Sequence, residues 1–414
     1  MQPANITRTE IRQHIVVIVI TLFITIGYWG AGFWALDQPD WGGGVDRPIY
    51  INAARNFFAQ ENLYVDINRV LPDDLIFYNY SPLSILWVGL VSLLPPAILY
   101  VLHLVAVVAL FFLWKAIFQK IQLEIPAWII PIWGVYSAFL YDAITLNINV
   151  FLALLATLYL WFNIEEDRFA RLGAILTLFL IIATKPQWGF LALLPLVQRQ
   201  WKKFLQISGG VAILTIFLWG LASILTSPGY VLEQHILFAK HLGTFTQRFS
   251  YWNLPPGPYE YNNSMHQVAI YLAENVRTGL VITRYVQIGL YVILAIMFLR
   301  TILKERQENL GAKKVSSLQW FFVLYCATLL LPPLNFDFSL GIPMFLFLAV
   351  QGKVQKIILG ILFPFIAFQD TISMLIRSFG ISGWFPFVFT ATVISLIFLL
   401  TMKTNSVSVK QRIL

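Results

Sequence analysis

The sequence predicts an all-α polytopic membrane protein. Of its 414 residues, 58% are hydrophobic and only 12% are charged. Apolar runs of about 20 residues, the length that crosses a bilayer as a helix, recur from end to end. The formal net charge is +8, but the basic residues fall in short clusters between the apolar runs, which is the positive-inside pattern. The composition therefore indicates that membrane lipids surround the chain, and it excludes a nucleic-acid partner.

The first apolar stretch, residues 15–36, predicts an uncleaved transmembrane helix. It is too long for the core of a signal peptide, and no small-residue cleavage site follows it. Basic clusters mark the predicted cytoplasmic side at residues 8–12, 199–203, 304–314, 353–356 and 403–412. Because both termini carry such clusters, we expect a multi-pass protein of the plasma membrane with both termini in the cytoplasm.

Counting the apolar segments between these clusters gives about 12 transmembrane helices, within a range of about 11 to 13. The predicted spans are residues 15–36, 82–94, 97–118, 126–142, 146–163, 172–197, 206–226, 279–301, 317–333, 338–350, 356–374 and 384–402. Two of them contain helix breakers, because 82–94 ends at Pro95-Pro96 and 172–197 contains Lys185-Pro186. No linker, low-complexity tract or repeat divides the chain, so residues 1–414 are expected to form one membrane domain.

This count leaves two long outer loops, residues 37–81 and 227–278. Both are rich in Tyr, Trp, Asn and Pro, and the first contains a helical pattern from Ile49 to Phe58. Loops longer than about 15 residues without signs of disorder are usually functional. We therefore expect the two loops to form the roof of a site at the extracytoplasmic face.

Asp46 is the strongest candidate for a chemical role in the first loop. It follows Gly42-Gly43-Gly44, whose missing side chains permit a tight turn and a close approach of the backbone. It also precedes the predicted helix, so an N-cap role is the alternative to catalysis. Asp40 is the reserve candidate.

Several cations belong to the predicted outer loops. They are Arg47, Arg55, Arg69, Lys240, Arg248, Arg277, His235, His241 and His266. Arginine suits a two-pronged contact with phosphate. His235 and His241 do not have the spacing of a metal site. No cofactor is expected, although a divalent cation bound by Asp37, Asp40 and Asp46 stays open because carboxylate oxygens suit such ions.

Polar residues also occur within or beside the predicted spans. Lys185 lies near the middle of one, where a charge is costly and usually faces protein or water, so it is either structural or part of an anion pocket. Asn147 and Asn149 lie at the predicted cytoplasmic end of the fifth span, where we expect them to cap a helix far from an outer site. Asn335 and Asp337 occupy a short outer hairpin, as turn residues or as ligand contacts.

The order of short motifs along the chain resembles a known family. The first helix is followed by Asp46-Arg47-Pro48-Ile49-Tyr50, Ala53-Ala54, Leu63-Tyr64 and Tyr80-Ser81-Pro82-Leu83, and later by Asn147-Ile148-Asn149, Lys185-Pro186, Asn262-Asn263-Ser264 and a Pro-Pro-Leu-Asn-Phe-Asp run at 332–337. This series is similar to the polyprenol-phosphate-dependent glycosyltransferases of the GT-C superfamily, in particular the mycobacterial alpha-mannosyltransferases and their arabinofuranosyltransferase relatives. The chain departs from that pattern at Ser81, where a proline is usual, at Asn147-Ile148, where Gly-Gln is common, and after Pro333, where no His follows.

The resemblance implies a GT-C-type helical bundle and a specific reaction. A hexose or pentose, with mannose favoured, passes from a polyprenyl-phosphate sugar to a hydroxyl of a lipid or glycan acceptor at the extracytoplasmic face, with inversion. Asp46 is the implied general base. The implied phosphate ligands are Lys185, Arg55, Arg47 and His266, and the implied sugar or acceptor contacts are Tyr50, Tyr64, Tyr80, Asn263, Asn335 and Asp337.

Two other classes of membrane protein stay open at this point. A flippase or transporter of lipid-linked sugars also carries intramembrane charges, but inverted repeats and short loops are typical of that class. An enzyme of the O-antigen-ligase type also uses outer loops, but it leaves Asp46 without a role. Release of polyprenyl phosphate would separate the three, because transport releases none and ligation releases the diphosphate.

Overall fold

A computed structural model describes residues 8–38, 43–64, 78–121, 129–165, 167–248, 264–303 and 310–331, with the single positions 125 and 357. Within these ranges every regular element is a helix, which confirms the all-α prediction. The α-helices are α1 (Arg8–Ala35), α2 (Asp46–Phe58), α3 (Ile85–Ser92), α4 (Pro96–Lys120), α5 (Ile129–Gly134), α6 (Ser137–Thr145), α7 (Asn149–Ile164), α8 (Arg168–Thr184), α9 (Leu194–Val197), α10 (Trp201–Leu225), α11 (Pro228–Arg248), α12 (Met265–Ala273), α13 (Val276–Leu303) and α14 (Leu310–Leu329). Two 3-10 helices cover Pro82–Ser84 and Pro186–Leu193.

The apolar helices have the lengths and surfaces of a membrane protein. By length and composition, α4, α10 and α13 can each cross a bilayer, and residues 132–145 with α7 would add a fourth span, bent by 118°. On α10, large apolar side chains such as Ile213 and Ile216 are exposed, which suits contact with lipid rather than water. The total of about 12 spans stays a prediction, because 338–350, 384–402 and nearly all of 356–374 lie outside the described residues.

Residues 82–94 do not form the second span that the sequence predicted. The 3-10 helix and α3 contain only three and eight residues, which reach about 17 Å as a helix, against about 30 Å for the hydrocarbon core of a bilayer. Both ends of the segment lie beside the same end of the bundle. Ser81 N donates to Thr184 O at 3.2 Å, and Arg47 Nε donates to the carbonyls of Ser92 and Leu94 at 3.0 and 3.1 Å.

Because this short segment does not cross the bundle, α4 and α7 run in the opposite direction to the one that the sequence predicted. Helix α4 leads from the end of the bundle that holds α2 to the opposite end, where Lys120 pairs with Glu165 just after α7. Helix α7 therefore begins near α2, and Gly44 N in fact donates to Ile144 O at 2.8 Å. The prediction that Asn147 and Asn149 lie far from the first loop is wrong, because it counted 82–94 as a crossing.

The predicted span 172–197 is interrupted at Lys185-Pro186, as the proline indicated. Helix α8 ends at Thr184, Lys185 is its C-cap, and Pro186 begins the 3-10 helix. Because proline lacks an N–H and crowds the preceding turn, the α-helix cannot continue through it. Lys185 consequently lies at the end of a helix, facing the end of the bundle that holds α2.

The two predicted outer loops contact each other through α11. Leu63 N donates to Gln234 Oε1 at 3.0 Å, and Tyr230 OH donates to Glu61 O at 2.7 Å. Tyr64 also packs against Phe238 and His241, with ring centroids 5.5 and 5.4 Å apart. Helix α11 therefore covers the described end of the first loop and holds Tyr64 in place.

Candidate functional site

A glycine turn carries the chain from α1 into α2 and delivers Asp46. A Cβ atom at Gly43 would lie 2.2 Å from the carbonyl oxygen of Ala35, so no side chain fits there. Gly44 has a φ of +65°, in the left-handed region that glycine adopts at little cost. Asp46 is the first residue of α2, whose N-cap is Val45, and no side-chain capping bond forms. The N-cap interpretation of Asp46 is therefore wrong, and its carboxylate is directed elsewhere.

The Asp46 carboxylate binds the turn between α6 and α7. Its Oδ2 accepts a hydrogen bond of 2.6 Å from Nδ2 of Asn147. Burial, together with the nearby carboxylate of Asp142, raises the pKa of Asp46 to about 7, although the hydrogen bonds from Asn147 and Thr145 and the charge of Lys185 act in the opposite direction. A carboxylate with such a pKa is poised to exchange a proton near neutral pH.

The turn that holds Asp46 is itself a tightly bonded polar unit. Leu146 adopts a left-handed φ of +58°, which reverses the chain so that Asn147 and Asn149 point to the same side as Asp46. Asn147 Oδ1 accepts from Ile148 N at 2.7 Å and from Asn149 Nδ2 at 2.5 Å. It also accepts from Tyr80 OH at 3.2 Å.

Lys185 reaches the same turn from the end of α8. Its Nζ donates to Asn149 Oδ1 at 2.6 Å and lies 5.4 Å from the centre of the Tyr80 ring. A cation over an aromatic face is attracted by the negative centre of the ring. An acid from α2 and a cation from α8 therefore bind neighbouring asparagines of one turn.

Asp142 and His103 lie beneath this turn and are fully buried. Asp142 accepts from Val150 N at 2.7 Å and from Asn149 Nδ2 at 3.2 Å. His103 Nε2 donates to Asn147 O at 2.5 Å and lies 3.8 Å from Asp142 Oδ2. In the sequence Asp142 is a carboxylate within an apolar segment, and its partners come from α4 and from the start of α7.

Three tyrosines that the resemblance assigned to the sugar form one cluster above the acid and the cation. Tyr50 OH and Tyr80 OH are 3.3 Å apart, and their rings meet edge to face at 5.7 Å. Tyr64 OH donates to Tyr80 O at 2.8 Å. The cluster brings α2, the end of the first loop and the segment before α3 together around Asp46.

The remaining candidate residues are distributed differently. The Nε of Arg47 donates to backbone carbonyls at the end of α3 and just after it, which anchors Arg47 there. Arg55 is exposed near the other end of α2, about 13 Å along the helix axis from Asp46. His266 is buried at the start of α12. Asp40, Asn263, Asn335 and Asp337 lie outside the described residues.

The described residues contain no group of three or more His, Cys, Asp or Glu side chains that could hold a metal ion. Asp46 and Asp142 approach Lys185 rather than a third carboxylate. Asp40, one of the oxygen donors that a cation site in the first loop would use, is not described.

Comparison with known sequences agrees with this architecture. The sequence model of glycosyltransferase family 87 matches residues 78–334, which is more than half of the chain. That range includes Tyr80, Asn147 and Lys185, whereas Asp46 precedes it. No curated protein and no solved structure matches the chain. The match confirms the GT-C resemblance at the level of the family and does not single out the mycobacterial branch. The helical membrane bundle and this match together show that the chain belongs to glycosyltransferase family 87.

Proposed function

We propose that the protein transfers a hexose or pentose, with mannose favoured, from a polyprenyl-phosphate sugar to a hydroxyl of a lipid or glycan acceptor. The anomeric carbon of the sugar forms a bond to the acceptor oxygen as its bond to the phosphate oxygen breaks. Such a transfer needs a base for the acceptor proton and positive charge on the leaving phosphate. The reaction takes place at the extracytoplasmic face, where the positive-inside pattern puts the first loop.

The convergence of Asp46 and Lys185 on the Asn147–Asn149 turn is the observation that supports this proposal most strongly. Asp46 is held through Asn147 at 2.6 Å and Lys185 through Asn149 at 2.6 Å. Asp46 removes the proton of the attacking hydroxyl, and Lys185 binds the phosphate as it leaves. Because the base and the phosphate ligand are separate groups on two sides of the turn, we propose a single displacement with inversion at the anomeric carbon.

The surroundings of this pair suit a sugar linked to a lipid. Tyr50, Tyr64 and Tyr80 offer ring faces and hydroxyl groups against which a sugar packs, and Asn263 and Asp337 are proposed to add polar contacts. Arg47, Arg55, His266 and Asn335 are proposed to complete the phosphate pocket beside Lys185. The exposed apolar sides of α10 and α13 provide lipid-facing surface for the prenyl chain.

A product assay tests this function directly. The purified protein is incubated with polyprenyl-phosphate mannose and a mixture of acceptor lipids, and both lipid products are separated and identified. Glycosyl transfer yields polyprenyl monophosphate and a glycosylated acceptor in equal amounts. Movement of intact donor across a vesicle without release would indicate a flippase, and release of a diphosphate from a diphosphate-linked glycan would indicate a ligase.

We expect the catalytic rate to rise with pH through neutrality. The base must be ionised to accept a proton, and burial raises the pKa of Asp46 to about 7. The ionised fraction, and with it kcat, should therefore be about 10-fold lower at pH 6 than at pH 8. The measurement is kcat at saturating donor and acceptor across this range, with protein integrity checked at each pH. A flat profile would contradict the assignment of Asp46 as the base.

A further inference from the structure

The side chain of Asn147 has a single orientation that satisfies its neighbours. Its Oδ1 faces three donors, the N–H of Ile148, the amide of Asn149 and the hydroxyl of Tyr80. Two of these are N–H groups, which can only donate, so an oxygen must stand there. The amide nitrogen is consequently directed at Asp46, whose Oδ2 lies 2.6 Å away.

The backbone of Asn147 is held as firmly as its side chain. Its N–H donates to Asp142 O at 2.9 Å, and its carbonyl accepts from His103 Nε2 at 2.5 Å. Asn149, which supplies one of the three donors, is itself held by Lys185 and Asp142. The position of the Asn147 amide is thus set by α4, α6 and α8 together.

We infer that Asn147 is the positioning residue of the general base, holding one carboxylate oxygen of Asp46 through its amide and keeping that carboxylate ionised for the acceptor proton. This inference rests on the proposed function. It also assigns a role inside the site to a residue that the sequence placed at the opposite end of the bundle. A hydrogen bond donated to a carboxylate stabilises the charged form over the neutral form, in which the oxygen would carry a proton.

The other groups that face Asp46 are chemically unchanged when Asn147 alone is substituted. They are Tyr50 on α2, Tyr80 before the 3-10 helix, Thr145 and Asp142 on α6 with His103 of α4 behind Asp142, and Lys185 after α8. Burial and Asp142 raise the pKa of Asp46, and Asn147 is the largest influence that lowers it. Loss of the Asn147 amide therefore moves the ionisation of the base to higher pH.

The pH dependence of kcat in Asn147→Ala tests this role. We expect the midpoint of the rising profile to move upward by about one pH unit or more, the size expected for losing a hydrogen bond to a charged group. At pH 7 the variant should be slower by about 5-fold or more, and raising the pH should restore much of the rate. Asn147→Asp keeps the shape and the acceptor oxygen but replaces the donor, so it should shift the midpoint in the same direction even if the alanine variant fails to fold.

Asn163→Ala is the matched control. Asn163 is an equally buried asparagine on α7, its Nδ2 donates to Tyr159 O at 2.8 Å, and it lies near the opposite end of that helix. Its variant should keep the wild-type midpoint. An unchanged midpoint in both Asn147 variants, with or without a lower rate, would overturn the inference about Asn147. The proposed function would still stand in that case, provided that Asp46→Asn is inactive. Normal turnover of Asp46→Asn would instead remove the base assignment itself.

Discussion

Replacing Asp46 by Asn is expected to lower kcat about 100-fold or more, the usual contribution of a general base. Asparagine has nearly the shape of aspartate, and its carbonyl oxygen can still accept the 2.6 Å hydrogen bond from Asn147. The substitution therefore removes the proton acceptor without removing the contact that positions it. Binding of the lipid donor should survive, because Asp46 is not proposed to contact the phosphate.

Single-turnover kinetics with bound donor separates these two effects, since it reports the chemical step apart from binding. Asp167→Asn is a suitable control. Asp167 is the N-cap of α8 at the opposite end of the bundle and accepts from Ala170 N at 2.7 Å, and asparagine caps helices about as well as aspartate. If Asp46→Asn turns over normally and Asp40→Asn is inactive, Asp40 is the base. If both stay active, the glycosyltransferase interpretation of the first loop is wrong.

Replacing Lys185 by Met is expected to raise the KM for the donor about 10-fold to 100-fold, with a smaller change for the acceptor. Methionine keeps the length and most of the volume of lysine but removes the ammonium group that we propose binds the leaving phosphate. Because that charge also stabilises the departing phosphate in the transition state, kcat should fall as well. The KM for each substrate is measured at saturating concentration of the other.

Lys120→Met provides the comparison for Lys185. Lys120 is a partly buried lysine at the opposite end of the bundle, where it pairs with Glu165. Its replacement removes a cation of the same kind without touching the site, so the donor KM should stay at the wild-type value. Unchanged kcat and donor KM in Lys185→Met would exclude Lys185 as a phosphate ligand.

Local features of the sequence predicted much of what the structure contains. The helical pattern from Ile49 to Phe58 lies within α2, which begins three residues earlier at Asp46. Pro186 interrupts the helix where expected, and Gly44 adopts the positive φ that a glycine turn allows. These features depend on residues close together in the chain, so composition and backbone chemistry are sufficient to indicate them.

The direction of the helices was not predictable in the same way. An apolar segment of 13 residues, 82–94, has the hydropathy of a crossing, and only its packing against α2 and its bond to Arg47 reveal that both its ends lie on one side. Counting that segment as a crossing reverses the predicted direction of α4, α7 and α8, which follow it. For this reason Asn147 and Asn149 were expected at the far end, although they bind Asp46 and Lys185.

The sequence by itself determined the class of the protein, the glycine turn that leads into Asp46 and the break that ends α8 at Lys185, since each follows from hydropathy or from glycine and proline within a few residues. Only the tertiary structure decided that Asp46, Asn147, Asn149 and Lys185 form one site. Their meeting depends on three chain segments separated by up to 139 positions, and the contacts that select it arise when buried polar groups must find partners inside an apolar bundle.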